Sequence, residues 1–203
     1  MELLLNKIIG SVLQMILFAI VPWIWWAVTA RKSQGFFQWI GLKRVGSVKR
    51  KALYIWCGAV MAGFILLGTW ILSVVSGMET ATSVFRGLGM AALPAAGIYA
   101  FFNTALPEEL LFRGFLLKRI SARMGFAAGN LIQSALFGLL HGVMFWGIAG
   151  PVQSIAIILF TGAIGWCFGF INEKQANGSI APSWLIHGVT NLFSASVSLF
   201  LLF

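Results

Sequence analysis

The chain has 203 residues, 60% of them hydrophobic and 9% charged, with 18 Phe, 9 Trp and only 5 acidic residues. An average soluble domain carries roughly a quarter charged residues, so a mean hydropathy of +0.93 excludes an ordinary soluble globule and a disordered chain alike. The net charge of +9 would also suit a nucleic-acid binder, but seven of the 14 basic residues lie between Arg31 and Lys51, with no acid among them. That block separates two long apolar runs, as a cytoplasmic loop facing anionic lipid does, and a nucleic-acid partner is the weaker reading.

A helix needs about 20 apolar residues to cross the hydrocarbon. Six stretches qualify, at roughly 8–28, 52–75, 88–106, 126–147, 152–171 and 181–203. The expected fold is therefore all-α: a polytopic membrane helix bundle of about six transmembrane helices, forming one domain over 1–203. Val28-Thr29-Ala30 resembles a signal-peptide cleavage site, but three Trp and the Arg31-Lys32 flank favour an uncleaved anchor. Cys57 and Cys167 both fall inside apolar runs, which leaves neither a disulfide framework nor a four-ligand zinc site. With 31–51 inside, the next inner segment holds Lys118, Arg119 and Arg123 and the third holds Glu173 and Lys174, while the outer connections carry only Glu79 and Arg86. The bias is self-consistent and puts both termini outside. Residues 106–123 read as a further helix starting after Pro107, charged at its ends and apolar between, that either lies at the interface or dips into the bundle.

A charged side chain at bilayer depth costs at least about 2.5–3.5 kcal/mol, so ionisable groups there need a partner or a function. The candidates are Glu108, Glu109 and Arg113 on one helix, His141 in the fourth span, and His187 with Asn191 in the sixth. Both histidines of the chain are thus in apolar helices. Glu109 and Arg113 are four apart and can pair on one helical face, while Glu108 is rotated by roughly 100° and is free to meet His141 across the bundle. Phe137 and His141 share a face, as do His187 and Asn191, and the latter two offer paired donors of the kind an oxyanion needs. Gly138 and Gly142, and Gly165 and Gly169, have the small-xxx-small spacing that lets helices approach closely. Each signal also has a bland reading: an interfacial charge cluster, a core histidine, interhelical glue, plain packing. The weight lies in their coincidence, because nearly every buried polar group belongs to a set that could build one reaction centre. The depths expected of the histidines conflict, however. His141 would lie about 22 Å along a helix starting at Phe126, and His187 only about 9 Å from Ala181, at about 1.5 Å per residue.

Taken together, Glu108-Glu109-Leu110-Leu111-Phe112-Arg113 (E-E-x-x-x-R), Phe137 to His141 (F-x-x-x-H) and His187 to Asn191 (H-x-x-x-N) resemble, in order and approximate separation, the motifs of the CPBP family. This is the family of CAAX proteases and bacteriocin-processing membrane proteins related to Rce1-type prenyl-protein endopeptidases. The resemblance covers about 88–194 and implies an intramembrane glutamic protease. On that reading Glu108 and His141 activate the attacking water, and His187 and Asn191 stabilise the oxyanion. Glu109 and Arg113 shape the site through their ion pair, and Phe137 packs beneath His141.

The leading expectation is peptide-bond hydrolysis in a membrane-associated peptide or protein, without a cofactor. A zinc hydrolase using His141, His187 and a glutamate is the rival among enzymes, weakened by the lack of H-E-x-x-H. A non-proteolytic scaffold or bacteriocin-immunity protein that binds a peptide or a sensor kinase is the rival from another class. A transporter fits worse, since few polar residues line any path. The chain's small size suggests a bacterial cytoplasmic membrane.

Overall fold

The computed structural model describes residues 1–74 and 79–201. Helices α1 (Glu2–Thr29) and α3 (Arg50–Val74) are joined through the short α2 (Phe36–Ile40). Two 3-10 turns, Ser83–Phe85 and Gly89–Ala92, lead into α4 (Leu93–Ile98). The chain stays helical from there through π-helical turns Tyr99–Ala105, the short α5 (Leu106–Glu108) and a second π-helical stretch, Glu109–Leu117, into α6 (Lys118–Ala149). Helix α7 (Pro151–Phe170), prolonged by π-helical Ile171–Gln175, and α8 (Ala181–Leu199) complete an all-helical bundle with no strand among the described residues.

The predicted helix 106–123 is therefore not a separate element. It is the second half of a helix that begins at Leu93, and Pro107 lies inside it. Proline lacks an N–H and its ring opposes the carbonyl four residues back, which breaks an ordinary α-helix. The wider π-helical turns on either side of Pro107 absorb that mismatch, and such turns gather at functional sites. The chain reverses instead at Gly125, whose φ of 81° and ψ of 162° suit a residue without a Cβ. The leg 126–149 then runs back along the first, with Gly129 against Ser121.

Six crossings are predicted; four stretches are long and apolar enough to cross a membrane, namely Glu2–Thr29, Arg50–Ser73, Gly89–Ala149 and Pro151–Gln175. Part of the difference is the reversal at Gly125, which puts the third and fourth predicted spans in one helical stretch. The rest is α8, which carries His187, Asn191 and four serines and so falls short in apolarity. The ends of the second and sixth predicted spans, residue 75 and residues 202–203, lie outside the described residues. Only 11% of the apolar stretch of α1 and 6% of that of α3 is buried inside the protein, so lipid must cover their remaining Leu, Ile and Trp side chains.

The three connections expected on the inner side meet at one end of the bundle. Lys118 Nζ reaches Glu173 Oε1 at 2.5 Å and the Gly178 carbonyl at 2.9 Å. Ile180 N–H donates to Gly41 O, Ser179 Oγ donates to Lys43 O, and Lys174 lies 4.4 Å from the centre of the Phe126 ring. The loop 31–51 is more than a charged tether, because Trp39 and Ile40 are buried in its middle and the Ile40 carbonyl presses on Gly114. These contacts also ease the conflict over histidine depth. The fourth helix begins at that outer layer, and Asn130, not Phe126, is level with Leu117 and Gly169. Counted from Asn130, His141 is about 16 Å along its helix.

Helices α6 and α7 touch backbone to backbone at their glycines. A Cβ on Gly138 would sit 2.5 Å from the Ile158 carbonyl, and one on Gly142 would meet the Ile158 side chain and the Ser154 carbonyl. Asn130 and Gln133 donate across the same seam to the carbonyls of Trp166 and Gly165. Gly138→Ala is accordingly expected to destabilise the protein by about 1–3 kcal/mol through overpacking. Thermal unfolding in detergent checks it, with Gly147→Ala, where a Cβ has no neighbour within 4 Å, as the neutral control.

Candidate active site

Glu108 and Glu109 sit where α5 passes into the second π-helical stretch, so their side chains leave the helix in different directions. Glu109 is fully buried with Arg113, four residues on, and Nη1 of the guanidinium lies 3.1 Å from Glu109 Oε1. The guanidinium rests over the rings of Phe137, 4.1 Å from its centre, and Phe168, at 5.2 Å. This is a cation–π environment that suits a buried arginine. The expected ion pair is present, and the seam of α6 and α7 explains its burial, since Gly165 leaves room for Arg113 Nη2 where a Cβ would come within 3.2 Å.

Glu109 has two further donors. His187 Nδ1 lies 3.1 Å from Oε1, and Ser183 Oγ donates to Oε2 at 2.5 Å. Asn172 Nδ2 in turn donates to Ser183 Oγ at 2.7 Å. Both oxygens of Glu109 thus face donors of the protein itself, Oε1 the guanidinium and the imidazole and Oε2 the hydroxyl, so neither is turned to a substrate.

Glu108 differs. Its side chain is 15% exposed, and its Oε2 is buried with no hydrogen-bond partner. Two imidazole nitrogens face that one oxygen, His187 Nε2 at 3.6 Å and His141 Nε2 at 3.9 Å. Those separations are too long for direct hydrogen bonds and within reach of one bridging water. Each histidine has its other nitrogen tied to an acceptor, His187 Nδ1 to Glu109 and His141 Nδ1 to the Phe137 carbonyl at 2.9 Å. Both Nδ1 atoms therefore carry the proton, and a neutral ring of either residue offers a lone pair at Nε2. Three acceptors converge on a point where only a water or an added proton can supply hydrogens. Phe137 underlies His141, with ring centres 4.4 Å apart, and stands edge-on to His187 at 6.1 Å.

Helical spacing aims His187 and Asn191 at one spot, whereas the structure commits them to different partners. Asn191 Nδ2 donates to Thr104 Oγ1 at 2.8 Å, and the Thr104 hydroxyl lies within reach of the Tyr99 and Ala100 carbonyls. An amide nitrogen has two hydrogens, so one remains for a ligand. Glu108, Glu109, Arg113, Phe137, His141 and His187 are all brought together, with Asn191 one turn away on α8. Sequence reasoning missed Thr104, Ser183 and Asn172. The first two were findable, because Thr104 precedes Glu108 by four and Ser183 precedes His187 by four, the spacing that puts a polar residue one helical turn from a candidate site residue. Asn172 reaches the site only through the way α7 ends, which no local pattern foretells.

A family model described as type II CAAX prenyl endopeptidase Rce1-like matches residues 89–193. No curated protein and no solved structure matches the chain. The matched stretch covers more than half of the sequence, from the 3-10 turn before α4 into α8, and contains every residue of the site just described. With its apolar helices and buried polar centre, the chain belongs to the Rce1-like family of membrane endopeptidases.

Proposed function

We propose that the protein is an intramembrane glutamic endopeptidase that hydrolyses a peptide bond in a membrane-associated peptide or protein, using a water held between Glu108 and His141. The observation that carries this reading is the buried, unpartnered Oε2 of Glu108 facing two imidazole Nε2 atoms. Glu108 takes one proton as the water oxygen attacks the carbonyl carbon, and His141 Nε2 accepts a hydrogen bond from the O–H that remains and so orients the attack. The oxyanion then meets the free N–H of Asn191 and His187, which donates from Nε2 when its ring enters the cycle carrying a second proton, taken from solvent, beside the Glu109 carboxylate. Collapse of the tetrahedral species breaks the C–N bond, and the proton on Glu108 passes to the leaving amine.

Two imidazoles and a carboxylate are also the donor set of some catalytic zinc sites. Among the described residues no group of three or more His, Cys, Asp or Glu side chains is spaced to hold a metal ion. Stoichiometric zinc in the purified protein, lost together with activity in His187→Ala, would replace the present mechanism.

The test needs no known substrate. Membrane-associated peptides and protein termini are compared between cells expressing wild type and Glu108→Gln at equal levels. New termini with wild type alone, absent again in His141→Ala, establish the peptidase and supply its substrate. Identical termini, with the cellular phenotype intact in Glu108→Gln, favour a scaffold or immunity protein that binds without cutting. Thr104→Val, which removes the acceptor of the Asn191 amide, is expected to lower kcat by roughly two- to tenfold, the worth of one hydrogen bond. Cleavage of a quenched fluorescent peptide ending in a prenylated C-a-a-X sequence measures it.

A further inference from the structure

Arg113 and His187 compete for one oxygen. Arg113 Nη1 and His187 Nδ1 both stand 3.1 Å from Glu109 Oε1, while the second oxygen, Oε2, faces Ser183. The guanidinium has donors to spare, because its Nε, Nη1 and Nη2 are all buried and none makes a well-aligned hydrogen bond. A guanidinium prefers to take a carboxylate with two parallel N–H bonds, and buried donors are costly to leave unpaired. Left to itself, Glu109 would turn both oxygens to Arg113 and abandon His187.

What prevents this is Ser183. Its hydroxyl has one proton and two candidate acceptors, Glu109 Oε2 at 2.5 Å and the Ile180 carbonyl at 3.1 Å. The charged acceptor is both closer and stronger. Asn172 Nδ2 donates into the same oxygen at 2.7 Å, so the Ser183 proton is directed away from Asn172 and onto the carboxylate. Ser183 and Asn172 are both fully buried, which leaves no water to take over either bond. Ser183 lies one helical turn before His187 on α8, so the helix that presents the imidazole also presents the hydroxyl holding its partner.

We propose that Ser183, braced by Asn172, is a positioning residue. It pins Oε2 of Glu109 so that Oε1 stays shared between Arg113 and His187, which keeps the proton of His187 on Nδ1 and turns Nε2 toward Glu108. Neither residue touches the reacting atoms. Their effect on rate rests on the peptidase reading above; their effect on the His187 tautomer does not.

The chain has two histidines, so protein labelled with 15N-histidine in lipid nanodiscs reports the two imidazoles of interest and nothing else. His141→Gln assigns the signals. In wild type the Nδ1 of His187 is protonated. In Ser183→Ala, and again in Asn172→Ala, that signal is expected to move toward the unprotonated position while His141, tied to the Phe137 carbonyl, stays unchanged as the internal control. Ser183→Thr, which keeps the hydroxyl, restores the wild-type spectrum. With the prenylated peptide as probe, kcat falls by about ten- to hundredfold in the two alanine variants and KM stays within about twofold, as for other groups that orient a site histidine. An unmoved His187 signal in both alanine variants overturns the proposal. So does a shift of both histidines together, or loss of folded protein in both variants, each of which makes the pair merely structural. If wild type cleaves no peptide the peptidase reading falls, and if Glu108→Gln cleaves as fast as wild type the role given to Glu108 falls, but in either case the spectroscopic result stands or fails on its own.

Discussion

Glu108→Gln is expected to reduce the rate of peptide cleavage by about 10²–10⁴-fold, the range by which a positioned general base accelerates such reactions. Glutamine keeps the length and shape of the side chain, and the 15% exposed site has room for it, so the variant should fold and bind substrate as wild type does. It cannot take a proton from water. His141→Ala is expected to cost a comparable factor, since His141 Nε2 faces the same carboxylate oxygen at 3.9 Å. The diagnostic result is the double variant. Two groups that act on one water are lost together, so the double should be no slower than roughly the worse single variant. Multiplicative losses would mean that the two residues serve separate steps and would sink the shared-water mechanism. Glu79→Gln, which removes an exposed pair with Arg86 at 3.8 Å, is the control expected to leave the rate unchanged.

The groups of this centre were legible in the sequence because membrane burial makes polar residues conspicuous. In a chain with two histidines and five acids, Glu108, Glu109, Arg113, His141 and His187 stand out against apolar helices, and spacing by four already pairs Glu109 with Arg113. Depth and continuity were not legible. Pro107 reads as a helix start, yet π-helical turns carry the chain through it, and that widening depends on the helices packed around it. Gly125 reads as one small residue among many, and only its backbone angles reveal the reversal that levels His141 with Glu108. The run 31–51 reads as a charged loop, whereas Trp39 and Ile40 inside it form part of the core against Leu106, Leu110 and Phe115. Ser183 and Asn172, which interlock beside Glu109, come from α8 and from the π-helical turn after α7, more than sixty residues away along the chain, and no periodicity encodes them.

Arg113→Met is expected to destabilise the protein by about 3–5 kcal/mol, because it leaves the fully buried Glu109 carboxylate without its counter-ion. Methionine is chosen to keep the unbranched stem against Phe137 and Phe168, so the loss reports charge more than packing. Thermal unfolding in detergent, with size-exclusion profiles as a check on folding, measures it. The double variant Glu109→Gln/Arg113→Met removes both charges and should regain a large part of the loss, since a buried pair is costly chiefly when half of it remains. Its activity should not return with its stability. The substituted glutamine side chain can still accept a bond from Ser183 or His187, but it no longer supplies the negative charge that lets His187 meet an oxyanion as a cation. Recovery of both stability and cleavage would show that the pair serves only to build the fold. Recovery of stability alone would place Glu109 in the chemistry of His187, one oxygen serving the core through Arg113 and the reaction through the imidazole.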